Sequence, residues 1–308
     1  MKYDLIIDSR PTEVALALLR DGLLIEFHKE KHDNDFSVGD IYLAKVRKTV
    51  PGLNAAFINV GYERDGFLHY LDLGAHYNSY KKFTHQAINQ KLNTASLKNF
   101  KKEKTLDKEG AINNVIKNGD LLLTQISKEP ISTKGPRLTS EISLAGRYMV
   151  LLPFSDKVSI SQKIDDSKEQ SRLKKLIRSI KPHGFGVIIR TVAKDKKVAE
   201  LDRDLKNLYK KWQLITKNLK NAKPKNKIHG ELNKASTILR DLLGEKFNKI
   251  HVNNDQLKTE LQEYLSKIAP DKEKNVKLYK KSTPIFQEFN VTKQIKSAFG
   301  KNVTMKKG

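Results

Sequence analysis

The sequence contains no cysteine. That absence excludes disulfides and thiolate-ligated zinc, and it fits a reducing compartment. There is no apolar run of about eighteen residues, so no segment reads as a membrane span. The opening stretch Met1-Lys2-Tyr3-Asp4-Leu5-Ile6-Ile7-Asp8 has too short an apolar run, and too much acid, for a signal peptide. A cytoplasmic protein is expected. Acidic residues are scarce: 35 Asp and Glu face 59 Lys and Arg, a net charge of +24 over 308 residues. Such a surplus does not choose a fold, but it does favour polyanionic partners, nucleic acid ahead of anionic membrane. Hydrophobic residues make up 38%, enough for modest cores in one large or two to three small domains.

Catalytic signatures are missing as well. No phosphate-binding Gly-rich loop or nucleophile elbow occurs. Apart from His28 and His32, which stand four residues apart, the eight histidines are scattered. Cleavage of a phosphodiester with a metal needs carboxylates that converge. The nearest pairs, Asp165-Asp166 and Asp202/Asp204, stand one or two apart on predicted helices, where side chains diverge. Both pairs read as surface charge. Binding chemistry is therefore expected without a catalytic constellation.

Strand signals open the chain. Tyr3–Ile7, Glu13–Leu19 and Leu23–His28 are short apolar runs, and Asp21-Gly22 predicts a hairpin. This piece is too small to bury its own core and must pair with something later. In residues 38–128, Gly39–Val50 alternates like a half-buried strand. Pro51-Gly52 marks a turn, and Ala55–Val60, Gly66–His69 and Asp120–Ile126 are further strands. Even spacing with glycine punctuation suggests a small barrel. Residues 77–117, rich in Lys and Asn, read as an inserted, mobile loop. Beyond it, Arg147–Leu152 and Gly186–Thr191 are strands, and Asp166–Ile180 a helix. Residues 194–219 form a long charged helix with Trp212 on the stripe of Leu201, Leu205 and Leu208. Its mixed charge signs do not suit a membrane surface. Residues 224–290 alternate helix and strand: Ser236–Leu243, Lys249–Val252, Asp255–Ile268 and Val276–Tyr279. They are candidate partners for the orphan strands. Val291–Phe299 is a last short helix, and 302–308 reads as a strand entering a glycine turn, a hint of truncation.

Two groups of residues suggest ligand chemistry. Phe57 and Phe67, flanked by Lys45, Arg47 and Arg64, would stack on bases if exposed on the barrel. The same rings would serve equally as core. Arg190-Thr191 at a strand end offers a guanidinium and a hydroxyl to a phosphate, and Gly146 would let that phosphate approach backbone N–H groups. An arginine at a strand end is also commonly just solvated.

Three stretches taken together resemble the ribonuclease E/G family. They are Gly39-Asp40-Ile41-Tyr42 through Pro51–Gly61 to Phe67-Leu68-His69; Lys134–Thr139 with Ser143–Tyr148; and Gly186–Thr191. The tail Val276–Tyr279, Pro284-Ile285-Phe286 and Gln294–Phe299 agrees. The likeness runs in order along nearly the whole chain, apart from 77–117 and the variable helices.

The resemblance implies an α/β and β multi-subdomain fold. In it an S1 (OB) barrel, with a 5′-sensor subdomain, is inserted into a split RNase H-like α/β subdomain. The bounds would be 1–37 with 223–285 for the RNase H-like subdomain, 38–128 for the barrel and 129–222 for the sensor. Residues 286–308 would begin a truncated DNase I-like subdomain. Arg190 and Thr191 would hold a 5′-phosphate, with Gly146 and Val150 lining the pocket. Phe57, Phe67, Lys134, Lys128 and Arg64 would contact RNA. Gln162-Lys163 departs from the family's paired arginines, so one supporting cation is weakened or replaced. Mg²⁺ belongs to the family's complete catalytic domain; its carboxylates would fall beyond Gly308, and none is expected on this chain.

The function so implied is binding of single-stranded RNA, preferably 5′-monophosphorylated, and sensing of its 5′ end. The whole would be an endoribonuclease of RNA processing and decay, with a homo-oligomer possible in the full-length enzyme. The alternative is a stand-alone, non-catalytic RNA-binding protein associated with the ribosome.

Overall fold

The Asp21-Gly22 pair makes the expected two-residue turn. Both residues adopt positive φ (50° and 82°), which lets Arg20 and Leu23 pair directly across it. In this computed structural model, residues 2–31, 36–231, 234–242 and 247–298 are described. The strand expected at 302–308 lies outside them.

In chain order the strands are β1 (Tyr3–Ser9), β2 (Glu13–Arg20), β3 (Leu23–Lys31), β4 (Ile41–Val50), β5 (Ala55–Asn59), β6 (Gly66–His69), β7 (Leu121–Lys128) and β8 (Arg137–Thr139). They continue with β9 (Leu144–Ala145), β10 (Met149–Pro153), β11 (Val158–Ile160), β12 (Phe185–Ile189), β13 (Lys227–His229), β14 (Phe247–Val252) and β15 (Val276–Leu278). The helices are α1 (Tyr77–Ile88), α2 (Ser167–Ile180), α3 (Val198–Leu219), α4 (Lys234–Leu242), α5 (Asp255–Ile268), α6 (Ile285–Glu288) and α7 (Val291–Ala298). The chain divides into two compact units, Met1–Asn34 with Leu232–Gly308, and Asp35–Glu231.

The first unit answers the orphan-strand problem. Its sheet runs β15-β14-β1-β2-β3, with β1 parallel to β14 and antiparallel to β2. Leu5, Ile7, Leu16 and Leu18 pack on one face against Leu239, Leu261 and Leu265 of α4 and α5. Ile6, Ala17 and Leu19 pack on the other against Ile285, Phe286 and Val291. Helix α5 keeps its expected bounds because Asn254 caps it, accepting from the Leu257 N–H at 2.9 Å.

The second unit holds a closed five-stranded barrel. Its strands pair in the order β4-β5-β6-β8-β7, and β7 closes on β4. This mixed α/β architecture around an OB-like barrel agrees with the expected fold class at that level. Tyr42, Ala44, Val46, Ile58, Leu68 and Leu122 fill the interior. The alternation expected for β4 holds only in its middle, at Ala44–Arg47. Its first four residues are all buried, because Ile41 and Leu43, with Leu123 of β7, face a second core outside the barrel. That core contains Tyr80, Phe83 and Ala87 of α1 and Leu201, Leu205, Leu208 and Trp212 of α3. It also contains the inner face of a four-stranded sheet ordered β11-β12-β10-β9.

Residues 77–117 are therefore not the expected mobile loop. Tyr77, Tyr80, Phe83, Thr84 and Ala87 form a helical stripe buried to 4% exposure or less, and Leu97, Ile112 and Ile116 are buried beyond it. The Lys- and Asn-rich outer face hides this period in the composition. The unit's two ends are stapled together: the Glu231 N–H donates to Asp40 Oδ1 at 2.8 Å, and Lys227 Nζ lies 3.1 Å from Asp40 Oδ2.

Two helix starts differ from expectation. Asp166 is not free surface charge but the N-cap of α2, accepting from the Lys168 and Glu169 N–H groups. Helix α3 begins at Val198 rather than 194, because Thr191–Ala193 form a 3-10 turn and Asp195 takes a positive φ of 59°.

Candidate nucleic-acid interface

Strand register sets five side chains in one row around the barrel. Lys48 pairs with Phe57, Phe57 with Phe67, Phe67 with Arg137, and Arg137 with Lys128. Directly opposed residues share a face. Their inward neighbours Ala56, Ile58 and Leu68 are buried, whereas Phe57 and Phe67 are only half-buried. The core alternative for the two rings is thus not what the fold adopts. The rings meet edge to face, centroids 6.0 Å apart, and Lys48 Nζ lies 5.4 Å from the Phe57 centroid. Register shifts between Val46 and Lys48, and between Ile126 and Lys128, bring the terminal lysines into the row.

Lys45, Arg47, Arg64 and Lys134 are all exposed. Arg47 is paired with Asp65 at 3.1 Å. The Lys134 loop rests on the Arg64-Asp65 backbone, where Gly135 leaves no room for a side chain: a Cβ there would stand 2.1 Å from the Asp65 carbonyl oxygen. Arg137 is held by Asp72 through two hydrogen bonds of 3.0 and 3.3 Å. Lys48 and Arg137 were not singled out in the sequence. Only the bulged register places them, and no motif carries that signal.

The second group gathers at one end of the four-stranded sheet. Strand β12 stops at Ile189, so Arg190 and Thr191 follow it rather than end it. The Arg190 N–H donates to the Tyr148 carbonyl, and Arg190 Nη1 to the Gly146 carbonyl at 2.9 Å. The Thr191 hydroxyl lies 2.9 Å from the Ser161 hydroxyl. Ser161 is tied to the same strand end by its N–H to the Ile189 carbonyl. Sequence reasoning passed over Ser161; its place just before the Gln162-Lys163 departure was the available signal. Val150 stands between Ala145 and Ile188 on the sheet's outer face, where Ile188 is 39% exposed.

Gly146 has another role than the one expected. Asp204, read as surface charge, is buried and accepts from the N–H groups of Arg147 (3.1 Å), Tyr148 (2.8 Å) and Met149 (3.2 Å). A Cβ on Gly146 would stand 2.6 Å from its carboxylate. The glycine admits Asp204, and those N–H groups are spent on it. Burial pushes the Asp204 carboxyl above its ordinary range, against the pull of the three donors. Asp202 remains outside, paired with Lys206.

Among the described residues no three His, Asp or Glu side chains gather as a metal site. Nor is any described helix long and apolar enough to cross a membrane.

An OB-like barrel with aromatic and cationic side chains in one row, joined to a second sheet through a shared core, defines an α/β chain built on an OB-like module. A family model described as "Ribonuclease E/G family" matches residues 143–308. The chain belongs to the ribonuclease E/G family. It is 30% identical to Ribonuclease G of Haemophilus influenzae over 99% of this chain and 58% of that protein. It is also 30% identical to Ribonuclease G of Escherichia coli K12, over 100% of this chain and 59% of that protein. Ribonuclease E of Nostoc sp. PCC 7120 is 30% identical over 88% of this chain and 36% of that protein. The chain thus spans less than two thirds of the curated relatives it matches.

Proposed function

We propose that this chain binds single-stranded RNA and senses its 5′-monophosphate, within a ribonuclease of its family acting in RNA processing and decay. The observation that carries the reading is the row Lys48-Phe57-Phe67-Arg137-Lys128: two half-exposed rings for bases, with cations on both sides for phosphates. Lys134 and Arg64 extend the cationic rim. Arg190 and Thr191 hold the terminal phosphate, with Val150 beneath it and Gly146 placing the guanidinium through its carbonyl. In this reading residues 129–222 are the 5′-sensor subdomain and 38–128 the S1 barrel. Residues 1–37 with 223–285 are the RNase H-like subdomain. Residues 286–308 open a DNase I-like subdomain, the expected seat of Mg²⁺ chemistry in the family.

Phe57→Ala lowers single-strand affinity by about 1–3 kcal/mol, the worth of one stacked base. Fluorescence anisotropy with a short RNA checks this, and circular dichroism checks the fold. Unchanged affinity in a folded variant removes the stacking role.

Arg190→Ala lowers affinity for 5′-monophosphorylated RNA roughly ten- to hundredfold, as loss of a charge-assisted contact of about 1.5–3 kcal/mol requires. Affinity for the same RNA with a 5′-hydroxyl stays near that of the parent. Equal losses on both RNAs would remove the sensor assignment.

A further inference from the structure

Residues 97–111, beyond α1, run without regular secondary structure and are fastened at both ends. At one end Leu97 is buried and lies against Gly184, and the Ala95 carbonyl accepts from Trp212 Nε1 at 3.0 Å. Along the way the Glu103 N–H donates to Ser79, Asn78 donates to the Lys104 carbonyl, and Lys102 pairs with Asp156. At the other end the Tyr70 hydroxyl donates to the Asp107 carbonyl at 2.6 Å. The Asn54 side chain there bridges the Gly110 carbonyl and the Ile112 N–H at 3.0 and 2.7 Å.

This strap is ordered by neutral bonds and a few ion pairs, yet Lys98, Lys101, Lys104 and Lys108 all stay exposed. None of the four forms an ion pair among the described residues. A solvated charge run needs no such fastening. Ten extended residues reach at most about 33–36 Å, so the four ammonium groups are spread along a segment no longer than that, in excess over the exposed Glu103, Asp107 and Glu109 beside them. The strap also has a direction. Its last anchors, Asn54 and Tyr70, lie three residues from Phe57 and Phe67 along the chain. Asn118, just past the segment, accepts from the Thr49 N–H beside Lys48. The strap therefore delivers its charge to the strand ends that carry the aromatic pair.

We infer that the strap is a second leg of the RNA track, holding the phosphates of single-stranded RNA that continues past the Phe57-Phe67 platform. This rests on the reading of that pair as the RNA platform.

The test is a variant of the full chain with Lys98→Gln, Lys101→Gln, Lys104→Gln and Lys108→Gln together. Its binding to 5′-hydroxyl oligouridylates of roughly 4 and 16 nucleotides, the span of site sizes for such barrels, is measured by anisotropy across a salt series. The 16-mer is expected to weaken about tenfold at low salt. Its slope of log affinity on log salt should become shallower by about 2–3, given about 0.7 per released phosphate contact. The 4-mer should bind as before. An unchanged 16-mer slope overturns the proposal, and is the result expected if the strap instead docks a protein. Equal loss on both lengths overturns it too, since the strap would then act through the barrel itself. Phe57→Ala run in parallel separates the two readings: if that variant leaves both RNAs unaffected, the platform fails independently of the strap. The four lysines are exposed, and an unchanged thermal midpoint confirms that the variant is folded.

Discussion

Trp212→Ala should cost about 3–5 kcal/mol of folding free energy, the range for removing a fully buried aromatic. Trp212 is 0% exposed. Its ring meets Phe83, Phe154 and Phe185 at centroid distances of 5.1, 6.0 and 6.0 Å, contacts that add to the area buried. Its indole N–H satisfies the Ala95 carbonyl at 3.0 Å, an acceptor left without that donor in the variant. The position is also a meeting point. Phe83 comes from α1, Phe154 follows β10, and Phe185 begins β12, while Ile41, Leu43 and Leu123 of the barrel join the same core. Destabilisation should therefore reach the barrel and the four-stranded sheet together, as one shifted transition in urea monitored by circular dichroism and Tyr fluorescence. A loss below about 1 kcal/mol would mean that the cluster is not what joins these layers.

Asp204→Ala should be the next most damaging change, at about 3 kcal/mol. Three backbone N–H groups lose their acceptor in a site closed to water, and each unsatisfied buried donor costs about 1–3 kcal/mol before the loop relaxes. Asp204→Asn should fall between parent and alanine variant, because its carbonyl still accepts while its amide turns a donor toward a donor. The effect extends to the ligand site. The loop that Asp204 pins presents the Gly146 carbonyl to Arg190, so the alanine variant should also lose discrimination between 5′-monophosphate and 5′-hydroxyl RNA. Chemical denaturation read beside the two affinities checks both statements. A stable variant with intact discrimination would show that the carboxylate does not support the pocket.

Local signals carried much of the architecture. The Asp21-Gly22 hairpin, the Asn254-capped α5 and the stripe of Leu201, Leu205, Leu208 and Trp212 each follow from neighbours in sequence, and each stands where expected. Relations between distant segments were harder to read. That β1 needs a late partner was legible from its size; that β14 lies parallel beside it was not. Helix α1 was hidden because its outer face carries the Lys and Asn of a loop, while Tyr77, Tyr80, Phe83 and Ala87 turn inward. Asp204 was misread because carboxylates on helices usually meet water, and nothing local reveals three N–H groups arriving from residues 147–149. For the interface, Phe57 and Phe67 stood out as aromatics among cations. Lys48 and Arg137 required the register and the bulges, whereas Ser161 was marked only by its place before Gln162-Lys163.

The staple between Asp40 and Glu231 bears on the order in which the chain is made. The polypeptide leaves the second unit beside the place where it came in, so that unit is a guest whose two ends touch. Its barrel and four-stranded sheet draw only on residues already synthesised when Glu231 emerges. The first three strands of the chain must wait longer, because β1 needs β14 and β14 needs β15. On the ribosome the first strands to appear are thus among the last to finish their sheet, and the guest completes itself while its host is still half-written.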